Sequence, residues 1–145
     1  MKKKKIDKRL KSFYKLFLIC LFVLIGTSGC IQNLQRYGSL IGVKEDMLEK
    51  YKDLHAKPWP EVNKQIKECN IQNFSIFLTQ FPDGQYYLFS YFEYTGDDFK
   101  ADMAKMAADP TTQKWWKQTD PCQIPLENRP EDQWWKTMEE VYHLD

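Results

Sequence analysis

Residues Ile71 to Leu78 and Tyr86 to Tyr94 are two aromatic, β-rich runs, and Phe81-Pro82-Asp83-Gly84 lies between them. Proline presets one backbone dihedral and glycine permits a positive one, so the segment reads as a tight turn joining two adjacent antiparallel strands. Everything else must supply this hairpin's missing neighbours and cover one of its faces. Upstream, Arg36 to Val43 reads as a short strand with small residues. Lys44 to Ala56 places Met47, Leu48, Tyr51, Leu54 and His55 at three-and-four spacing, the pattern of one buried helical face. Lys57-Pro58-Trp59-Pro60 interrupts it. Proline cannot donate the intrahelical hydrogen bond and restricts the residue before it, so the first helix is predicted to end near His55 and a second to begin at Pro60. Val62, Ile66 and Cys69 lie on one side of that second helix.

Downstream, Asp97 to Ala108 is predicted as a helix with Phe99, Met103 and Met106 inward, ended by Asp109-Pro110, and Thr111 to Gln118 as one more short helix. Thr119 to Asp132 is Pro-rich and irregular, and Val141-Tyr142-His143-Leu144 is predicted as the last strand. The order β, α, β, β, α, β, with helices on one side of an antiparallel sheet, is the ferredoxin-like α+β sandwich. Its other sheet face is left apolar and uncovered, and a homodimer is the expected cover.

A length of 145 residues suits one such domain behind a leader. Residues 1–29 hold eight of the 21 Lys and Arg and one of the 20 Asp and Glu, then an apolar run from Leu16 to Ile25 and small residues before Cys30. This is the layout of a secretory signal, and about ten apolar residues fall short of the roughly 20 that a bilayer span needs. Thr27-Ser28-Gly29-Cys30 resembles a bacterial lipoprotein cleavage box, with Thr27 where leucine is usual. The expectation is a signal segment over residues 1–29, lipidation at Cys30, and a domain over residues 30–145. That domain would be exported, facing the periplasm or cell exterior and held to the membrane by lipid alone. Without its basic leader the chain is acidic, which excludes nucleic acid as a partner, because nucleic-acid binders cluster bases. Cys69 and Cys122 remain in the domain without CxxC spacing, either bridged in an oxidising compartment or as two separate buried thiols. Two histidines in the whole chain and no metal-ligand spacing argue against a metal site and give zinc and redox chemistry little support.

Tyr51 and His55 are four apart and share a helix face. His55 stands at the carboxyl end, where the helix dipole favours the imidazolium and where a usable proton can be held. Four of the five tryptophans come as adjacent pairs, Trp115-Trp116 and Trp134-Trp135. Adjacent helical positions point about 100° apart, so either one ring of each pair lies in the core and the other is displayed, where an indole offers a flat plate to the C–H face of a sugar, or all four close a small core.

Tyr51-x-x-x-His55, Trp59-Pro60-Glu61, Asn73-Phe74-Ser75-Ile76-Phe77-Leu78, and Asp109-Pro110 followed by Trp115-Trp116 resemble, in order and approximate spacing, the L-rhamnose mutarotase family over about Gln35 to Asp145. The resemblance implies a cofactor-free dimeric α/β barrel in which two ferredoxin-like sheets close face to face. It implies interconversion of the α and β anomers of L-rhamnose or a related deoxy-hexose through ring opening, for which acid-base help suffices. By the same likeness His55 is the catalytic proton donor, and Tyr51, Phe74, Trp115 and Trp116 bind the monosaccharide. Phe74 replaces a sugar-contacting tyrosine of the family, keeping the ring and losing the hydroxyl. Trp59 packs behind these residues or serves the fold alone. The base is a water or a carboxylate, with Glu61 one candidate. The competing reading is a non-catalytic carbohydrate-binding lipoprotein on the same fold.

Overall fold

β2 (Ile71–Gln80) and β3 (Tyr86–Tyr94) pair antiparallel, with Leu78 opposite Leu88 and Phe77 opposite Phe89. In the turn between them Gly84 adopts a φ of 82° and its N–H donates to the Phe81 carbonyl at 2.9 Å, while Asp83 Oδ1 accepts from the Gln85 N–H at 2.8 Å. The computed structural model describes residues 34–144, so the expected signal segment and the lipidation site at Cys30 lie outside the described residues. β1 (Gln35–Val43) pairs antiparallel with the other edge of β3. The far edge of β1 carries two short strands, β4 (Gln123–Ile124) and β5 (Lys136–Met138). The strand order β2-β3-β1-β4 is that of a ferredoxin-like α+β sandwich.

The helices begin and end where the punctuation dictates. A single 3₁₀ turn, Glu45–Met47, leads into α1 (Leu48–Ala56), and α2 (Pro60–Glu68) starts on its proline. α3 (Phe99–Ala108) is capped by Asp98, which accepts from the Ala101 N–H at 3.0 Å. α4 (Pro110–Thr119) is capped by Asp109, which accepts from the Thr112 N–H at 2.6 Å. Each such cap satisfies an amide that the helix itself leaves unpaired and contributes about 1 kcal/mol.

Strand alternation sorts the sheet into two faces. On one, Ile41, Val43 and Leu88 bury against Tyr51 of α1 and Cys122, with Ile76, Tyr86 and Trp135 packed around them. Burying each large apolar side chain contributes about 1.5–3 kcal/mol, so this cluster is the main attachment of α1 to the sheet. Further along the same face Tyr37 packs on Phe99 of α3, at 4.2 Å, and on Phe92, at 5.1 Å, the latter two being 6.3 Å apart. Met103 and Met106 of the same helix are half-buried. Cys69 and Cys122 are both buried and both free, so the two thiols stay separate. Among the described residues no helix covers the opposite face, through Leu40, Phe77, Phe89, Ile124 and Met138; Phe77 is 61% exposed.

The last strand is not where the sequence pattern predicts it. Val141 to Leu144 is outside the sheet, with Val141, Tyr142 and Leu144 exposed, and the edge is formed instead by β4 and β5. The reason lies in the partner strand. A side chain at Gly38 would come within 3.0 Å of Met138 Cε, and one at Gly42 within 3.1 Å of Ile124 Cβ, so the two glycines of β1 open the places where the short strands cross it. Gln133 Oε1 fixes the start of β5 by accepting from the Thr137 hydroxyl at 2.8 Å and from its N–H at 3.2 Å.

Candidate active site

Tyr51 and His55 occupy successive turns of α1, and their rings stack at 4.1 Å with 28° between planes. His55 Nδ1 lies 2.9 Å from the Tyr51 carbonyl oxygen. A carbonyl can only accept, so Nδ1 carries the proton and, in the neutral ring, Nε2 keeps a free lone pair. Trp115 of α4 meets His55 edge-on at 5.4 Å and Trp59, the residue before α2, at 5.4 Å. The Pro-bracketed break after α1 is what turns Trp59 back toward α4. Three helical segments thus converge on one aromatic cluster around a single imidazole.

The electrostatics differ from what the helix dipole alone predicts. Burial pushes the His55 pKa below its ordinary value of 6.5, outweighing the hydrogen bond to the Tyr51 carbonyl, which acts the other way. The expected preference for the imidazolium is therefore corrected: desolvation of the charge exceeds the attraction of the helix end, and the resting ring is neutral. Burial also raises the Tyr51 hydroxyl far above the usual phenol range, so it remains a donor at any working pH.

The tryptophan pairs divide between core and surface. Trp115 is buried and Trp116 displayed; Trp135 packs on the core while Trp134 is exposed. Phe74 does not join the His55 cluster. It sits beside the bulge between Gln72 and Ser75, where Asn73 takes a left-handed φ of 50°, and its ring meets Phe92 edge-on at 5.7 Å. Glu61 is exposed in the first turn of α2. His143 lies in the C-terminal tail, 4.0 Å from Glu140, and with Arg36, Gly38, Tyr91 and Met138 lines an open hollow of about 300 Å³ that none of Tyr51, His55, Trp115 or Trp116 borders.

One neighbour of Tyr51 has no signal in the sequence. Gln123, buried in β4, accepts at Oε1 from the Trp134 indole N–H at 2.6 Å, and its side chain partly offsets the effect of burial on the Tyr51 hydroxyl. A lone glutamine in a Pro-rich loop looks like any solvated residue until the loop folds back on α1.

Residues 36–144 match the family model described as L-rhamnose mutarotase. An L-rhamnose mutarotase of Oceanobacillus iheyensis is 30% identical over 113 residues, covering 77% of this chain and 100% of the relative. That of Bacillus subtilis is 33% identical over 88 residues, covering 61% of this chain and 79% of the relative. The crystal structure of an L-rhamnose mutarotase from Formosa agariphila shares the fold, with a TM-score of 0.57 at 21% identity, over 77% of this chain and 99% of that one. These matches correct the expected localisation. The matched family model and relatives account for residues 36–144 as an L-rhamnose mutarotase domain, and none of them supports an exported, membrane-anchored lipoprotein.

Proposed function

The chain belongs to the L-rhamnose mutarotase family, and from that premise we propose that it interconverts the α and β anomers of free L-rhamnose or a closely related deoxy-hexose, with His55 carrying the proton. The observation that supports this reading most directly is the held imidazole: Nδ1–H is tied to the Tyr51 carbonyl, and Nε2 is left to exchange a proton in a partly desolvated aromatic setting.

Ring opening moves one proton from the anomeric hydroxyl to the ring oxygen while the anomeric carbon–ring oxygen bond breaks and the carbonyl forms. Both oxygens are attached to the anomeric carbon, so one nitrogen can serve both. Neutral His55 takes the hydroxyl proton at Nε2 and, as the imidazolium, donates it to the departing ring oxygen. Rotation about the exposed carbon–carbon bond and the reverse sequence give the other anomer, and the enzyme ends in its starting form. A histidine with a lowered pKa suits this shuttle, because it starts empty and gives the proton up readily. Tyr51 would hold a sugar oxygen through its hydroxyl, with Trp115 and Trp116 against the sugar's C–H face.

The uncovered sheet face supports a homodimer. Phe77, Ile124 and Met138 are exposed on it beside Leu40 and Phe89, and a second copy packed face to face would bury them. Anomer-exchange NMR on the purified protein tests the activity. Exchange of L-rhamnose faster than in a protein-free control at matched pH and buffer is expected; equality with the control for every deoxy-hexose would overturn the reading.

A further inference from the structure

The bulge in β2 decides on which side of the sheet Phe74 emerges. Ile71 and Gln72 pair in regular order with Tyr94 and Glu93, and pairing resumes at Ser75 opposite Tyr91, so Asn73 and Phe74 together face the single residue Phe92. Strict alternation from Ile71 and Gln72 would put Asn73 on the helix-covered face and Phe74 on the other. The reverse is found. Asn73 takes a φ of 50°, a left-handed conformation that asparagine tolerates better than most residues, and its side-chain amide turns to the same side of the sheet as that of Gln72. Phe74 falls on the helix-covered face, edge-on to Phe92 at 5.7 Å. Glu93 holds this arrangement. Its Oε2 accepts from Gln72 Nε2 at 3.0 Å and from Asn73 Nδ2, and its Oε1 accepts from the Tyr91 hydroxyl at 3.2 Å. Bonds to an ionised carboxylate are stronger than neutral ones, and these donors, Gln72 foremost, keep the Glu93 carboxyl below its ordinary range. In a regular strand Asn73 would point to the other face and lose the contact.

Phe74 is 45% exposed although it stands on the face that carries α1. Two residues on, about 7 Å along the same side of the strand, Ile76 packs against the core cluster that contains Tyr51. A ring displayed there stands at the margin of the face that bears the proposed sugar site, where it can close on the C–H side of a ligand held by Tyr51. We infer that Glu93 is a positioning residue for that site: from the opposite face of the sheet it fixes the Asn73 bulge, and the bulge turns Phe74 toward the sugar. This rests on the mutarotase reading. Glu93 lies across the sheet from the sugar and acts on it only through Phe74.

The test uses Glu93→Ala, which removes the acceptor, and Asn73→Gly, which keeps the left-handed backbone and removes the donor. Each is made in the full chain, alone and beside Phe74→Ala. The readouts are L-rhamnose titration, the KM and kcat of anomer exchange, and the nuclear Overhauser effect between the Phe74 and Phe92 rings. Both variants are expected to weaken the ring-to-ring signal and to raise Kd and KM about three- to tenfold, the range of one aromatic contact, with a smaller change in kcat because His55 is untouched. Beside Phe74→Ala they should cause no further loss, since the ring through which they act is gone. Glu93→Gln keeps one acceptor oxygen and loses the charge, and its effect should fall between wild type and Glu93→Ala. Unchanged affinity and ring contact in both variants, losses undiminished beside Phe74→Ala, wild-type affinity for Phe74→Ala itself, or a loss that tracks a change in sedimenting mass would overturn the inference while leaving the activity standing. A wild-type protein no faster than the control would overturn the mutarotase reading and the sugar role of Phe74 with it.

Discussion

The Tyr51 carbonyl oxygen lies 2.9 Å from His55 Nδ1, and the rings of the same two residues stack at 4.1 Å, so one helical turn fixes both the tautomer and the tilt of the imidazole. An unattached histidine at the end of a short helix would sample several rotamers and both tautomers. Here the main chain of one residue and the ring of the same residue remove that freedom, which is the preorganisation a proton carrier needs.

Replacing His55 by alanine should therefore slow anomer exchange by about 10²-fold or more, the reach of general acid-base catalysis, while sugar binding through Tyr51 and the tryptophans persists. Saturation-transfer NMR gives the rate and a sugar titration gives the affinity; rate and affinity should separate. His143 serves as the internal control. It stands in the tail at a different hollow, so His143→Ala should exchange at the wild-type rate. A wild-type rate for His55→Ala would remove His55 from the mechanism.

The pH dependence is set by the direction of the His55 shift. Burial lowers the folded-state pKa below 6.5, so the neutral form that accepts the first proton predominates at neutral pH. Exchange above the control should be level from neutrality upward and should fall as pH drops through a value below 6.5. Stability changes with the same sign: the unfolded chain binds a proton at His55 first, so the contribution of the neutral buried ring is present above 6.5 and is lost as pH falls through the folded-state pKa. In a rate profile corrected for buffer catalysis, a limb rising toward acid pH would show that the imidazolium is the resting form instead.

The elements that prolines, glycines and caps punctuate are legible from the sequence because their limits are local. Pro60 and Pro110 open helices, Gly84 turns the hairpin, and Asp98 and Asp109 cap α3 and α4. The sheet's far edge is not local. Lys136–Met138 is a weaker strand pattern than Val141 to Leu144, yet it pairs with β1 because Gly38 leaves room for Met138 and Gln133 holds Thr137. In the site, the Tyr51–His55 spacing is readable from helical periodicity. The protonation preference of His55 is not, since it depends on how deeply three helical segments bury the ring, and the Gln123–Trp134 hydrogen bond is not, since it closes 11 residues of irregular chain.

The two adjacent tryptophans of α4 should respond oppositely to truncation. Trp115 is 7% exposed and touches both His55 and Trp59, so Trp115→Ala should cost about 3–5 kcal/mol in urea unfolding, as expected for deleting a buried indole. Trp116 is displayed, and Trp116→Ala should change stability by no more than about 0.5 kcal/mol while weakening sugar binding in a titration. Equal stability losses for the two would contradict their placement on the core and display sides of the helix.

The quaternary prediction turns on Phe77. It stands opposite Phe89 on the face that no described helix covers and is 61% exposed, and a second copy packed there would bury it with Leu40, Ile124 and Met138. A two-fold dimer would place the same patch against itself, with the helices and the His55 cluster of each copy on the outside. Sedimentation at micromolar concentration should give the mass of two chains. Phe77→Glu places a charge where the two sheets would meet and touches no part of the core around Tyr51, so it should yield a monomer with its near-ultraviolet circular dichroism retained. If wild type and variant both sediment as monomers, the open face has some other cover; if both remain dimers, the two-fold contact is made by another surface, and the face-to-face barrel is not the assembly this chain forms.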